Sequence, residues 1–186
     1  MLHFSNLTVF FKKVAIVAIA TTISVTAYAQ AYQGDKAIGG FLSIAGDETT
    51  LAGIGAKFQY NITDPIRIEG SFSHFFPKKE TQRYMGTTIE TSLNMWNLSA
   101  NVHYLLPITE KVTVYPLAGL GIAGLKAKAS ALGISETASE NHFGLNLGGG
   151  LDYHVTDAIT LNFEARYLIV SEGGIFFVRA GVAFRF

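Results

Sequence analysis

The sequence of 186 residues contains no cysteine, which excludes a disulfide framework and a thiolate metal site. Charged residues are also scarce at 15%, and the 14 basic residues balance the 14 acidic ones. Because nucleic-acid binding needs a basic surface, we expect no nucleic-acid partner. The five histidines include no H-x-x-x-H pair of the kind that binds metal from one helix. The sequence therefore predicts neither a metal site nor a cofactor.

Long apolar runs are missing as well. After residue 30, no stretch approaches the roughly 20 consecutive apolar residues that a membrane-spanning helix needs. The chain is nevertheless apolar overall, with 49% hydrophobic residues and a mean hydropathy of +0.30. It has only four prolines but 19 glycines, 14 phenylalanines and eight tyrosines. This composition favours strands and turns over helices.

The first 29 residues have the organisation of a secretory signal peptide. Lys12 and Lys13 precede the apolar run Val14–Val25, and the small residues Ala27 and Ala29 follow it. A basic start, a short apolar core and an A-x-A site together predict export and cleavage after Ala29. The run is short for a membrane anchor. We therefore predict one exported domain over residues 30–186.

Alternation of apolar and polar residues divides the exported part into eight segments. The predicted strands are Lys36–Ala45, Leu51–Ile62, Ile66–Phe76, Thr88–Leu106, Lys111–Leu125, His142–Val155, Ala158–Val170 and Ile175–Phe186. Two long polar stretches, Pro77–Thr87 and Lys126–Asn141, are predicted as loops, and Pro116 is predicted to form a bulge or a strand entry. Eight consecutive strands with mostly short connections predict an all-β, antiparallel, up-and-down barrel.

One face of every predicted strand is free of charge, and this pattern fits two kinds of barrel. A secreted lipocalin-like barrel would turn the apolar face inward around a ligand, whereas a membrane barrel turns it outward. Aromatic residues ten positions apart, such as Phe143 and Tyr153 or Phe176 and Phe186, mark the edges of a band about 25 Å tall, as a membrane barrel requires. Glycines on the polar face fit a narrow lumen. We therefore predict the membrane barrel, with a lipid-facing aromatic girdle formed by Tyr60, Trp96, Tyr104, Phe143, Tyr153, Phe176 and Phe186.

Three short motifs carry a family resemblance. Tyr115–Gly121 reads YPLAGLG, Gly148–Tyr153 reads GGGLDY, and the chain closes on GVAFRF at Gly181–Phe186. The exported part resembles the small eight-stranded, porin-like outer-membrane β-barrel proteins, which include the OmpA transmembrane domain and OmpX. The resemblance implies an outer-membrane location in a Gram-negative bacterium, and recognition of the terminal Phe186 by the barrel-assembly machinery. It says little about activity, because the same barrel serves several functions.

The charged residues on the polar face should meet inside the barrel. They are Lys57, Arg67, Glu69, Asp152, Glu164, Arg166, Arg179 and Arg185. Reflection of the strands about their turns predicts Glu69 beside Gln59, and Glu164 beside Gly181 with Arg179 on the diagonal. Unpaired charges there would be costly, so we expect an ion-pair network. The network is interpreted either as a plug or as a gated, narrow pore, and we favour the plug because eight strands leave a nearly filled lumen.

The outer end of the barrel offers two further hypotheses. Five basic residues, Lys78, Lys79, Arg83, Lys126 and Lys128, could contact lipopolysaccharide phosphates or simply be solvated. A lipid A-modifying enzyme would need a grouped serine, histidine and acid. Ser73 and His74 lie on the third predicted strand, whereas Glu140 and His142 lie at the start of the sixth, so we predict no catalytic site. The predicted function is a structural or surface-interaction role through the outer loops, with a monomer inserted among outer-membrane lipids.

Overall fold

The computed structural model of the chain describes residues 33–46, 50–84, 87–131, 134–171 and 173–186. Only the backbone is described for residues 79–84, 87–90, 129–131 and 134–136. The predicted signal peptide and the side chains of Lys79 and Arg83 therefore lie outside the described part. Among the described residues, no helix is long and apolar enough to cross a membrane.

Eight long strands form the fold. They are β1 (Lys36–Gly46), β2 (Leu51–Asn61), β3 (Ile66–Tyr84), β4 (Thr87–Tyr104), β5 (Val112–Ala131), β6 (Ile134–His154), β7 (Ile159–Val170) and β8 (Gly173–Arg185). Each strand pairs antiparallel with the next, and β8 pairs with β1 from Ala37↔Arg185 to Gly46↔Phe176. This last pairing closes the sheet, so the predicted eight-stranded up-and-down barrel is confirmed.

Three tight turns define one end of the barrel, which we call the turn end. The amide groups of Ile62, Ile108 and Val155 donate to the carbonyl groups of Ile66, Val112 and Ile159 over 2.8–2.9 Å. In two of these turns a threonine hydroxyl also accepts a backbone amide, with Thr109 accepting from Val112 at 3.1 Å and Thr156 from Ile159 at 3.0 Å. Such side-chain caps explain why threonine occupies these turns.

At the opposite end, the loop end, the two predicted long loops are wrong. β3 and β4 remain paired from Lys78↔Leu93 to Tyr84↔Thr87, and β5 and β6 remain paired as far as Ala131↔Ile134. β4 and β5 pair up to Ile89↔Ala131. The four strands therefore continue as one sheet beyond the closed barrel. We call this part the protruding sheet: β3 from Lys78, β4 up to Asn94, β5 from Lys126 and β6 up to Gly144.

The protruding sheet has two edges that no other described strand covers. β2 pairs with β3 only as far as Gly53↔Phe75, and β7 pairs with β6 only from Leu145↔Ile169. Beyond these pairs, one edge of β3 and one edge of β6 meet no strand within the described ranges. The barrel wall is thus extended on one side only.

A β-bulge sets which face of the protruding sheet each β3 residue occupies. The register shifts between Phe75 and Lys78, at the site of Pro77, where a missing amide is tolerated. After the shift Lys78 lies opposite Leu93, on the inward parity, and Lys79 lies opposite Ser92, on the outward parity. The two adjacent lysines are therefore placed on opposite faces of the sheet.

Pro116 does not form the predicted bulge or strand entry. It lies inside β5, opposite Gly149 of β6. On the other side of β5, the pairing with β4 stops at His103↔Leu117. Pairing resumes in the same register at Leu106↔Val114, where Leu106–Pro107 forms a two-residue strand. The interruption thus contains no extra residue. A proline lacks the amide needed for the ladder, which accounts for the local gap.

The register of the last hairpin also differs from the prediction. Val170 pairs with Gly173, so the turn is two residues long rather than four. Gly173 has a φ of 142°, a conformation that glycine adopts readily. The tighter turn moves β8 by two positions, and Glu164 consequently faces Arg179 directly instead of Gly181. Gln59 does pair with Glu69, and that predicted neighbour relation is confirmed.

Candidate functional site: the barrel interior and its two rims

The structure separates the strand residues into an apolar outer face and a mostly polar inner one. Large apolar side chains are exposed outward, including Leu42 at 67%, Phe163 at 56% and Leu145 at 54%. Charged residues are buried inward, and Lys57, Glu69, Glu164 and Arg179 are each no more than 6% exposed. A lipocalin-like barrel would have the opposite arrangement. The molecule is therefore built for an apolar surrounding.

The centre of the lumen holds an ion-pair network organised by Arg179. Its Nη1 atom lies 3.6 Å from Glu164 Oε1 and 3.8 Å from Glu69 Oε1. Lys57 Nζ lies 3.4 Å from Glu69 Oε2, and Gln59 Nε2 donates to the same oxygen at 2.8 Å. These contacts join β2, β3, β7 and β8. Removing one partner would leave an uncompensated charge in the interior.

A second group spans the lumen nearer the turn end. Arg67 Nη1 donates to Asp152 Oδ2 at 2.6 Å, which links β3 to β6. The Nε and Nη2 atoms of Arg67 lie 3.2 and 3.0 Å from His103 Nδ1. The His103 ring stacks on Tyr115 with a centroid distance of 4.6 Å. Because β3 and β6 are not neighbours in the sheet, a strand-by-strand reading of the sequence could not pair Arg67 with Asp152.

Uncharged polar residues complete the network, although only charged residues were predicted to form it. Arg166 Nη2 donates to Asn97 Oδ1 at 2.6 Å. Arg179 donates to the hydroxyl groups of Ser71 and Ser73 at 3.0 and 3.1 Å. Asn97, Ser71 and Ser73 all lie on the charged parity of their strands. Their parity is the sequence feature that could have identified them, because a buried guanidinium needs acceptors for its five N–H groups.

An apolar layer closes the interior at the loop end, above the ionic network. It consists of Ala45, Leu51, Phe75, Met95, Ala123, Leu168 and Phe177. The Phe75 and Phe177 rings lie 6.0 Å apart, and the Arg166 guanidinium sits 5.0 Å from the Phe177 centroid. These apolar residues share the parity of the charges, so the inward face is polar in the middle of the lumen and apolar towards the loop end. The two layers together fill this part of the lumen.

The turn end is more open. Arg185 Nε lies 3.6 Å from Asp35 Oδ2, and both side chains are about a quarter exposed. Of the eight charged residues predicted for the lumen, Arg185 is thus the one at the rim. Next to it lies a small cavity of about 30 Å³, whose lining includes Arg67, Asp152 and His154.

The residues considered for catalysis do not come together. Ser73 is buried inside, where its hydroxyl accepts from Arg179, whereas His74 is exposed on the outward face. His142 Nε2 lies 3.5 Å from Glu140 Oε2 on β6, and β6 is not a neighbour of β3. A serine, a histidine and an acid are therefore not grouped at these positions.

A cluster of potential metal ligands lies where the sequence predicted none. The cluster consists of Glu69, His103 and Glu164, which are all buried. Each residue offers one potential ligand atom, and these three atoms lie within 4.8 Å of one another. The residues come from β3, β4 and β7, so spacing along the chain could not reveal the cluster. Buried cations surround it, among them Lys57 and Arg179.

The aromatic residues predicted for the girdle lie at two levels on the outer face. Tyr104, Tyr153 and Phe186 are exposed near the turn end, and Tyr60 is partly covered there. Phe143, Phe176 and the partly covered Trp96 lie towards the loop end. Of the basic residues predicted at the outer rim, Lys78, Lys126 and Lys128 have exposed side chains.

Comparison with known proteins places the chain among outer-membrane barrels. The family described as "Outer membrane protein beta-barrel domain" matches residues 15–186. The structure is similar to Ail, the attachment invasion locus protein of Yersinia pestis, with a TM-score of 0.58 and 21% identity over 83% of this chain and 99% of that one. It is also similar to the N-terminal β-barrel domain of Pseudomonas aeruginosa OprF, with a TM-score of 0.55 and 19% identity over 83% and 98% of the two chains. The outer membrane protein OprG from Pseudomonas aeruginosa gives a TM-score of 0.52 at 14% identity, over 84% and 98%. No curated protein sequence matches the chain.

Proposed function

Because this chain belongs to the outer membrane protein beta-barrel domain family, we propose that it is a non-enzymatic outer-membrane protein that binds an extracellular partner through its protruding sheet. The observation that carries the proposal is the extension of four strands beyond the closed barrel, with uncovered edges on β3 and β6. In this proposal the partner binds to a sheet, and not to the loops that the sequence predicted.

An uncovered strand edge binds an extended peptide by adding it as a further strand. The edge of β6 from Ile134 to Gly144 reads ISETASENHFG and contains two glutamates. Polar and charged residues on an edge limit uncontrolled pairing between copies. They also leave the backbone N–H and C=O groups available to a partner strand. The proposed partner is therefore an extended segment of a protein outside the cell.

The filled interior supports an interaction role over transport. In the described part of the lumen, the ionic network lies below an apolar layer that includes Phe75 and Phe177. The alternative functions are a narrow channel and a lipid A-modifying enzyme. Planar-bilayer recording distinguishes the channel, since the proposal predicts no steady conductance from the wild-type protein. Mass spectrometry of lipid A with and without the protein tests the enzyme, and the proposal predicts identical spectra.

Peptide display tests the interaction role directly. A library of extended peptides would be selected on vesicles that contain the protein. The selected peptides would then be tested on a variant whose two hairpins are cut back to the pairs Phe75↔Met95 and Leu125↔Glu140. We expect the peptides to bind the full chain and to lose binding to the shortened barrel. Peptides that bind both proteins equally, or no enrichment at all, would contradict the proposal.

A second role, binding of lipopolysaccharide phosphates, is favoured by the placement of two lysines. Lys126 and Lys128 are exposed on β5, opposite Asn94 and Ser92 of β4. This is the outward parity, and Trp96 occupies the next outward position of β4 towards the barrel. Lysines directly above an interfacial tryptophan lie at the level of lipid phosphate groups. By its register Lys79 belongs to the same face.

Adjacent lysines provide a matched control for this role. Lys126→Ser with Lys128→Ser should reduce cross-linking to lipid A phosphates several-fold, whereas Lys78→Ser should not, because Lys78 lies on the opposite parity. Unchanged cross-linking in the double variant would eliminate the phosphate contacts. The variants with Lys79→Ser and Arg83→Ser then measure any remaining contribution.

Assembly is proposed to follow the usual outer-membrane route. Export would remove residues 1–29, and the assembly machinery would recognise the strand that ends at Phe186. The Phe186 amide donates to the carbonyl of Lys36 at 2.9 Å, and its ring is 72% exposed. Phe186→Ala should therefore strongly reduce the amount of assembled barrel in cells. The same substitution should have a smaller effect on the free energy of unfolding of the purified, refolded protein. Equal losses in both would indicate a purely structural role for the ring.

A further inference from the structure

Within the described part of the chain, several buried side-chain atoms have no hydrogen-bond partner, and three of them belong to residues that lie close together near the centre of the lumen. These three are Glu69 Oε1, His103 Nε2 and Glu164 Oε1. The three residues are the cluster whose ligand atoms lie within 4.8 Å of one another. His103 is fully buried, at 0% exposure. Arg179 Nη1 lies 3.6 Å from Glu164 Oε1 and 3.8 Å from Glu69 Oε1, which is an ion pair but too long for a hydrogen bond. A buried polar atom without a hydrogen bond costs free energy, so an unassigned group is expected between these residues.

The proton on His103 is placed by Arg67. An arginine can only donate, and its Nε and Nη2 atoms lie 3.2 and 3.0 Å from His103 Nδ1. Nδ1 must therefore be the accepting nitrogen of a neutral imidazole. The single ring proton then belongs to Nε2, which becomes a donor without an acceptor.

This tautomer opposes a metal ion. A metal bound at Nε2 would shift the ring proton to Nδ1, where it would face the N–H groups of Arg67. The net charge of the buried side chains also disfavours a metal ion. The buried cations of the described interior are Lys57, Arg67, Arg166 and Arg179, and the buried carboxylates are Glu69, Asp152 and Glu164. Four cations and three anions leave a net charge of 4 − 3 = +1, and a divalent ion would raise it further.

A water molecule satisfies the three atoms. It would accept the proton of His103 Nε2 and donate its two hydrogens to Glu69 Oε1 and Glu164 Oε1. Partners of one water at hydrogen-bond distance are separated by about 4.6 Å for tetrahedral geometry. One potential ligand atom of each of the three residues lies within 4.8 Å of the other two, so the residues are spaced closely enough to share a water. Three polar partners are typical of a buried structural water.

We propose that Glu69, His103 and Glu164 form a site for one buried water molecule that rejects divalent metals. The water joins the Arg67–Asp152 group near the turn end to the Arg179 network in the middle of the lumen. With it, the interior becomes one continuous hydrogen-bonded structure from β6 to β8. This inference is independent of the proposed surface interaction.

Nitrogen-15 NMR of the folded protein in nanodiscs tests the site. The full chain would carry His3→Gln, His74→Gln, His142→Gln and His154→Gln, so that His103 gives the only ring signals. We expect a protonated Nε2, an unprotonated Nδ1 and a cross-peak between the Nε2 proton and a slowly exchanging water. We expect excess Zn²⁺ to leave these signals unchanged.

Two results would overturn the proposal. Loss of the Nε2 proton on adding Zn²⁺ would show a metal site instead. A protonated Nε2 with no water cross-peak, coupled directly to a carboxylate, would show that the residues contact each other without a water. If the multiple variant does not fold, the wild-type chain with selectively labelled histidine gives the same comparison, with single His→Gln variants at the other positions identifying the His103 signals.

Discussion

At the scale of single residues, Arg179 links its own strand to β1, β3 and β7. Its guanidinium reaches Glu69 and Ser73 on β3, Glu164 on β7 and the ring face of Phe41 on β1, at 4.4 Å from the centroid. An arginine suits this position because its planar donors serve several acceptors at once. The side chain thus fixes the relative positions of strands on different sides of the lumen.

Replacing Arg179 should therefore be costly. Arg179→Met retains much of the side-chain volume but leaves Glu69 and Glu164 without their common cation, and we expect a loss of about 3 to 5 kcal/mol in the free energy of unfolding. Arg185→Met is the control, because Arg185 pairs with Asp35 at the partly exposed rim, where a pair contributes about 1 kcal/mol or less. Reversible urea unfolding from lipid vesicles measures both. Equal losses would show that the central network has no special weight.

Gly124 provides a second residue-scale test. A Cβ atom at Gly124 would overlap the indole of Trp96, whereas a Cβ at Gly70 would meet nothing within 4 Å. Gly124→Ala should displace the indole and destabilise the barrel by about 1 to 3 kcal/mol. Gly70→Ala should be nearly neutral.

Fluorescence reports this displacement because Trp96 is the only tryptophan of the chain. We expect Gly124→Ala to shift the emission maximum of Trp96 and Gly70→Ala to leave it in place. An unchanged spectrum in Gly124→Ala would mean that the glycine does not hold the ring against the barrel wall.

At the scale of elements, the number of strands and their faces follow from the sequence because strand alternation is strict where one side meets apolar surroundings. In β7, for example, Leu161, Phe163 and Ala165 alternate with Asn162, Glu164 and Arg166. The protruding strands lack this contrast. From Thr137 to Asn141 both parities are polar or small, so a water-exposed strand there looks like a loop.

Register across a turn is predictable only when the turn length is known. The hairpin between β2 and β3 was placed correctly, and Glu69 faces Gln59. The hairpin between β7 and β8 was misplaced by two residues, because Gly173 and Gly174 belong to β8 and not to the turn. Contacts across the lumen, such as Arg67 with Asp152, depend on the closure of the whole barrel and are not encoded in any single hairpin.

The protruding sheet should be dispensable for folding of the barrel. Its strands pair only with one another beyond Phe75 and Leu145. Replacing residues 79–90 by a short turn should therefore leave the barrel folded, because the closed part of the barrel keeps its strand pairs. The shift in gel mobility between boiled and unboiled samples in detergent checks this. Loss of the unboiled, compact form would show that the hairpin is needed for barrel closure.

At the scale of the whole molecule, the fold is a membrane barrel with a filled interior. Apolar residues face outward along the strands, the charges pair in the middle of the lumen, and an apolar layer lies above them towards the loop end. Placing charges inside is favourable only if they are paired and the outside is apolar enough for lipid. The protruding sheet then projects from a rigid support, which suits a binding surface.

Quenching by lipids with bromine at the middle of the acyl chain tests this assignment of faces most directly. In a Trp96→Phe background, a single tryptophan would replace either Phe163, which is 56% exposed, or Phe41, which is 6% exposed. The two positions lie at similar depth, since Phe163 is four residues from the turn-end start of β7 at Ile159 and Phe41 is five residues from that of β1 at Lys36. The structure predicts strong quenching of Phe163→Trp and weak quenching of Phe41→Trp. Stronger quenching of Phe41→Trp would contradict the account, because the charged face would then be turned towards the lipid.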